Sequence, residues 1–101
     1  MSEFKTLVAS DAVAANRGRV VEVNNRQVAV FNVDGTFFAL ENTCSHRGGP
    51  IGEGELSGHT VTCPWHLWRF DIRTGECVNC PGDFVRTYEV IVEGGEVRIR
   101  L

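Results

Sequence analysis

Two short pieces of sequence constrain this chain more than anything else in it. They are Cys44-Ser45-His46 and, after sixteen intervening residues, Cys63-Pro64-Trp65-His66. Each supplies one thiolate and one imidazole in the same order, and each sits where turn residues separate strand-like runs. A fold that uses both must bring two loops face to face. Unconnected core thiols and surface imidazoles are the plain alternative, but two matched pairs in turn contexts argue for a metal centre. Two thiolates and two imidazoles also suit a tetrahedral zinc site. Zinc fingers, however, group Cys-x2-4-Cys and His-x3-5-His, so each loop gives one kind of ligand. Here each loop gives one of each.

At 101 residues the chain has room for one domain, spanning 1–101, near the size at which a bound metal aids folding. A net charge of −3, with Arg17, Arg19 and Arg26 scattered among polar residues, excludes a nucleic-acid binder of the basic-stripe kind. Met1-Ser2-Glu3-Phe4-Lys5 shows no basic segment followed by an apolar one, so no signal peptide is expected. The apolar runs are too short to span a bilayer. The expectation is a soluble cytoplasmic protein without a membrane anchor, whose four cysteines are ligands before they are disulfides.

Turn residues punctuate short strands along the whole chain, with no sustained helical period. Phe4 to Val8 reads as a first strand, and Ser10-Asp11-Ala12 as a single helical turn. Asn24-Asn25 joins strands 19–23 and 27–33, and Asp34-Gly35 leads into 36–41. Further on, 55–57 and 59–62 pair around Gly58, and 69–72 and 77–78 flank Thr74-Gly75. Last, 85–93 and 96–101 enclose Gly94-Gly95, with Tyr88, Val90 and Val92 on one face. This spacing predicts an all-β antiparallel sandwich or small barrel.

The pattern C-x-H…C-x2-H resembles the Rieske family of [2Fe–2S] proteins. Asn42-x-Cys-x-His-Arg-Gly-Gly-Pro-Ile (42–51) and Cys-Pro-Trp-His-Leu-Trp-Arg-Phe-Asp-x2-Thr-Gly (63–75) look like the two cluster loops of Rieske ferredoxins that serve bacterial aromatic-ring oxygenases. Pro81-Gly82 sits where the family has a proline loop over the cluster. The resemblance implies three stacked antiparallel sheets, with a cluster-binding subdomain at about 42–84. It also implies one [2Fe–2S] cluster held by Cys44 and Cys63 on one iron and His46 and His66 on the other. Gly48 and Gly49 would let backbone amides approach sulfide, Pro50 and Pro64 would stiffen the loops, and Trp65 and Trp68 would shield the site or simply pack.

Replacing two thiolates by neutral imidazoles leaves the oxidised site uncharged rather than at −2. The potential then rises from roughly −400 mV into a range of roughly −150 to +300 mV. Respiratory members add a disulfide between the loops, and a serine and a tyrosine that donate to sulfur. The matching positions here hold Gly49, Trp65, Trp68 and Phe70, which points to the low-potential end. Where the family often has glycine after the second histidine, Leu67 stands.

The function implied is that of a one-electron carrier and not an enzyme. It would take electrons from an NAD(P)H-dependent flavin reductase and pass them to a terminal oxygenase as a monomer, through contacts near His46 and His66. The alternative within the family is the small subunit of an assimilatory nitrite reductase, and outside it a zinc-stabilised interaction domain. Cys77-Val78-Asn79-Cys80 is expected to be two core or loop thiols without a part in the cluster, and His59 a solvent-facing side chain.

Overall fold

The computed structural model describes residues 4–43, 49–65 and 67–100. Among the described residues nine strands form two antiparallel sheets: β1 (Phe4–Ala9), β2 (Arg17–Val23), β3 (Arg26–Val33), β4 (Thr36–Glu41), β5 (Glu55–Ser57), β6 (Thr60–Thr62), β7 (Arg69–Asp71), β8 (Thr87–Glu93) and β9 (Glu96–Arg100). The larger has the order β1-β9-β8-β4-β3-β2 and the smaller β5-β6-β7. Short 3₁₀ turns cover Ser10–Ala12, as expected, and Ile51–Glu53, which the sequence pattern did not suggest.

Four hairpins have two-residue loops, and their backbone signs explain their residues. Asn24-Asn25, Asp34-Gly35 and Gly94-Gly95 all have positive φ at both positions, the type I′ pattern that matches strand twist. Gly58-His59 has positive φ only at Gly58, as a II′ turn requires, so β6 begins at Thr60 rather than His59.

The six-stranded sheet is nearly two sheets. β4 and β8 pair only at Ala39↔Tyr88 and Leu40↔Thr87. One apolar cluster fills the space between its halves, with Val28, Val30 and Ala39 on one side and Leu7, Val97 and Ile99 on the other. A second cluster joins Ala29, Phe31 and Leu40 to Val61, Cys63 and Phe70 of the smaller sheet and its loops. β3 therefore alternates between two cores and is buried on both faces from Val28 to Val33. The result is the antiparallel, three-layer all-β architecture that the resemblance implied. Tyr88 and Val90 share a face toward the first core, while Val92, at the hairpin end, runs out into solvent.

One expected strand is absent. Residues 77–78 make the single bridge Phe70↔Cys77, and Glu76 bridges Phe84. The Val78 amide still donates to the Arg69 carbonyl (2.7 Å), but the Arg69 amide goes to the Asn79 side chain (3.0 Å). A side-chain oxygen has taken the place of the next backbone acceptor, and the ladder ends there.

Candidate metal centre

Of the four proposed ligands, Cys63 lies within the described residues; Cys44, His46 and His66 lie outside them, as do Arg47 and Gly48. Cys63 is fully buried at the end of β6, among Ile51, Val61, Phe70 and Cys77. Its amide donates to the Trp68 carbonyl (2.7 Å), which draws the two flanks of the second motif together.

The flanks of the first motif come to the same place. Thr43 and Pro50 form an antiparallel bridge, and Asn42, 2% exposed, clamps the 3₁₀ turn on the far side of the motif. Its carbonyl accepts the Ile51 amide (2.8 Å), and its side-chain oxygen accepts the Gly52 amide (2.7 Å). The Asn42 amide donates back to the Gln27 carbonyl of β3 (3.1 Å). A buried asparagine with its polar atoms engaged in this way holds a loop base rigidly.

Gly49 is the point of contact between the motifs. A Cβ built there would lie 2.7 Å from the Cys63 Sγ and 2.9 Å from the Trp65 Cβ, closer than real carbon atoms approach. The first motif thus presses bare backbone against the thiol of the second. Gly49 and Trp65 are also the positions at which respiratory members were expected to carry their linking disulfide, and the two are neighbours in space.

Trp65 is 52% exposed, whereas Trp68 is partly buried against the Cys63 core. Leu67 has φ +57°, the left-handed region that glycine occupies readily and leucine rarely, and it is 67% exposed. The glycine expected from the family at this position has a backbone reason, and leucine is held there against it.

Cys77 and Cys80 form no disulfide. Cys77 is buried and its S–H donates to the Asn79 side-chain oxygen (3.4 Å); burial pushes its thiol above the ordinary cysteine range. His59 departs from the expectation of a solvent-facing side chain: it is partly buried and meets Phe38 edge to face at 5.6 Å. Asp71 receives a forked pair of hydrogen bonds from Arg73 (3.1 and 3.0 Å), which holds its carboxyl below the usual carboxylate range. Two asparagines, Asn42 and Asn79, are supporting residues that the motif reading named without giving them a role. Their signal was present, since each lies within two residues of a cysteine and asparagine favours local backbone bonding.

Residues 3–89 match the model of the Rieske [2Fe–2S] domain. The chain is 37% identical over 102 aligned positions to the ferredoxin component of a p-cumate 2,3-dioxygenase system from Pseudomonas putida, covering 96% of this chain and 85% of the relative. Among solved structures it is similar to a ferredoxin of Sphingomonas yanoikuyae B1, with TM-score 0.90, 31% identity, and 98% and 99% of the two chains covered. It also matches a chain in a complex of reduced oxygenase and oxidized ferredoxin of carbazole 1,9a-dioxygenase (TM-score 0.87, 30% identity, 96% and 92% covered). A putative NADH-dependent nitrite reductase small subunit from Mycobacterium tuberculosis is equally close in shape (TM-score 0.90, 25% identity, 100% and 96% covered). No helix among the described residues is long and apolar enough to cross a membrane.

Proposed function

The chain belongs to the Rieske [2Fe–2S] family, and from that premise we propose that it carries single electrons from a flavin-containing NAD(P)H reductase to a terminal aromatic-ring oxygenase without itself catalysing turnover. In this reading Cys44 and Cys63 hold one iron of a [2Fe–2S] cluster and His46 and His66 the other, within a subdomain of about 42–84 in a single-domain, cytoplasmic monomer. When bound, the cluster takes up and gives back one electron.

The observation that carries the reading is the approach of Gly49 to the Cys63 Sγ. It sets the backbone that follows the first Cys–His motif against the cysteine of the second, with no side chain of residue 49 between them. The described surroundings fit such a group. Cys63 sits in an apolar enclosure that excludes water, and a soft thiolate there is the donor an iron–sulfur site needs. The Asn42 and Asn79 clamps keep the loops from rearranging when the charge changes.

Trp68 and Phe70 have no hydroxyl to offer sulfur, so the midpoint should lie near the low end of the range, on the order of −150 mV. It should vary little between roughly pH 6 and 8, the window in which a ligand histidine would matter if its second proton were lost near neutral pH. Redox titration followed by visible absorption measures both. A midpoint above roughly +200 mV, near the top of the family range, ends the oxygenase-type assignment.

The whole-chain likeness to a nitrite reductase small subunit favours a second reading, a fixed electron-transfer part of that enzyme. Transfer from the reduced protein to an aromatic-ring oxygenase, compared with transfer to a nitrite reductase large subunit, separates the two. The first test is simpler. Protein purified without chelators should be red-brown, hold two irons and two acid-labile sulfides per chain, and bleach with dithionite. A colourless, folded, zinc-loaded protein overturns the proposal.

A further inference from the structure

The proposed electron transfer leaves Cys77-Val78-Asn79-Cys80 unused, yet its two thiols are placed for chemistry of their own. The chain turns at Val78 and Asn79, so Cys77 and Cys80 stand at the ends of the turn. Four-residue turns bring their end Cα atoms within about 7 Å. A disulfide bridges Cα separations of about 4.4–6.8 Å. The segment is also tied back on itself: the Cys77 amide donates to the Asp83 carbonyl (2.9 Å), and the Asp83 amide to the Cys80 carbonyl (3.1 Å). The side chains sense each other too, because Cys80 adds to burial in raising the Cys77 thiol above the ordinary cysteine range.

Filling the core accounts for Cys77, which is 5% exposed. It explains neither a second thiol three residues on nor that thiol's partial exposure. Cys77 in turn lines an open groove of about 610 Å³, with Val78, Pro81 and Phe84 around it. Glu76 and Asp83 line the same groove, and Asp71 there is committed to Arg73. Such a surface disfavours an anionic oxidant, for example a glutathione disulfide, and admits an uncharged one.

We infer that Cys77 and Cys80 are a modification site, which hydrogen peroxide converts to an intrachain disulfide and a dithiol returns to two thiols. Cys80, the more exposed, attacks first as its thiolate. Its sulfur bonds to one peroxide oxygen, the O–O bond breaks, and the hydroxide that leaves takes up the proton Cys80 released. The Cys77 sulfur then displaces the hydroxyl from the Cys80 sulfenic acid. The S–S bond forms, the S–O bond breaks, and the hydroxide leaves with the Cys77 proton as a second water. Two electrons pass from the thiols to one peroxide. This chemistry needs only the two thiols and goes beyond the electron-carrier reading.

One side chain connects the pair to the second Cys–His motif. The Cys77 S–H donates to the Asn79 Oδ1 (3.4 Å), which also accepts the Arg69 amide (3.0 Å), and the Asn79 Nδ2 donates to the Leu67 carbonyl (3.3 Å). Between those two backbone positions lies the Trp68 carbonyl that accepts the Cys63 amide. A disulfide has no S–H, so oxidation withdraws one of the Asn79 partners and loosens the backbone that Asn79 holds.

The test treats cluster-loaded protein with an equimolar amount of hydrogen peroxide and reads the thiols by iodoacetamide labelling and peptide mass. Labelling of Cys77 and Cys80 should disappear, the peptide containing both should lose two hydrogens, and dithiothreitol should reverse both changes at constant iron content. Amide exchange in segment 67–71 should quicken about tenfold on oxidation, the effect of one lost hydrogen bond, and slow again on reduction. Cys77→Ser should stop at a Cys80 sulfenic acid that dimedone traps. Cys80→Ser, which leaves the core cysteine in place, should react about tenfold more slowly than wild type.

Two labelled thiols after treatment overturn the inference. A disulfide between chains, or a stable sulfinic acid at Cys80, overturns it as well, since either means that the two sulfurs do not meet. Equal loss of iron in the wild type and in a Cys77→Ser, Cys80→Ser double variant makes the metal centre the target and has the same result. A disulfide that leaves exchange in 67–71 unchanged overturns the connection through Asn79.

Discussion

In the β2–β3 ladder every residue from Arg17 to Val23 faces a partner between Asn32 and Arg26, with no break in register. From Cys63 to Phe84 the described residues form one three-residue strand, two isolated bridges and a series of turns. The first region holds itself together by backbone pairing over two apolar cores. The second is assembled from single hydrogen bonds, such as Cys63 to Trp68, Val78 to Arg69 and Cys77 to Asp83, each depending on one loop staying in place. The β-scaffold is thus stable by its own burial, whereas the loop region gains from whatever joins its loops. A metal bound across both motifs does that, because metal-binding free energy becomes folding free energy.

The strongest way to break this comparison is to remove a proposed ligand. Cys63→Ser, or stripping the cluster with acid and chelator, should bring iron to background. It should also abolish hydrogen-exchange protection in β5-β6-β7 while β3 and β4 keep theirs. Equal loss of protection in Val30 and Val61 would show that the two regions fold as one unit.

Next comes a core residue on the scaffold side of their shared interface. Leu40 is fully buried against the Cys63 cluster from β4, so Leu40→Ala should cost about 2–5 kcal/mol, read by denaturant unfolding. The folded fraction should keep an unaltered visible spectrum, since the loops are held by their own clamps. A bleached or shifted spectrum would mean that the scaffold core tunes the site.

A smaller effect is expected from the thiols outside the motifs. Cys77→Ala with Cys80→Ala should retain full iron and destabilise the protein by about 1 kcal/mol, because Cys77 fills part of the core. In the wild-type protein Cys80 should alkylate before Cys77, whose buried thiol resists ionisation. Iron loss in the double variant would reassign the ligands.

The smallest effect belongs to Asp71. Its carboxyl titrates below the ordinary carboxylate range in the folded protein, so its pairing with Arg73 stabilises the fold above roughly pH 4. That contribution fades as the pH falls through the lowered value. The pair is partly solvated, with the two side chains 23% and 56% exposed, which keeps the gain small. Melting curves of wild type and Asp71→Asn should differ slightly at pH 6 and converge below pH 4. Curves that stay parallel would remove Asp71 from the acid response.

Local chemistry explains which parts were legible in advance. Asn24-Asn25, Asp34-Gly35 and Gly94-Gly95 fell where two-residue turns need positive φ, and few other residues tolerate it. Strand ends were accordingly placed to within a residue or two over most of the scaffold. The expected strand at 77–78 failed because Asn79 offers a side-chain acceptor in place of a backbone one, a choice made by an atom that no periodicity detects. His59 was misplaced because only folding brings Phe38 of β4 across to it.

By itself the sequence determined the all-β class, the hairpin turns and the identity of the two Cys–His motifs. All of these depend on residue type and on spacing over a few positions, where steric and ligand chemistry act directly. Only the tertiary structure decided that Gly49 lies on the Cys63 thiol, that Asn42 ties the base of the first motif to β3, and that Val78 and Phe84 wall one groove. Those juxtapositions join segments far apart in the chain. They are selected by how two apolar cores pack on either side of β3, and no local pattern carries that information.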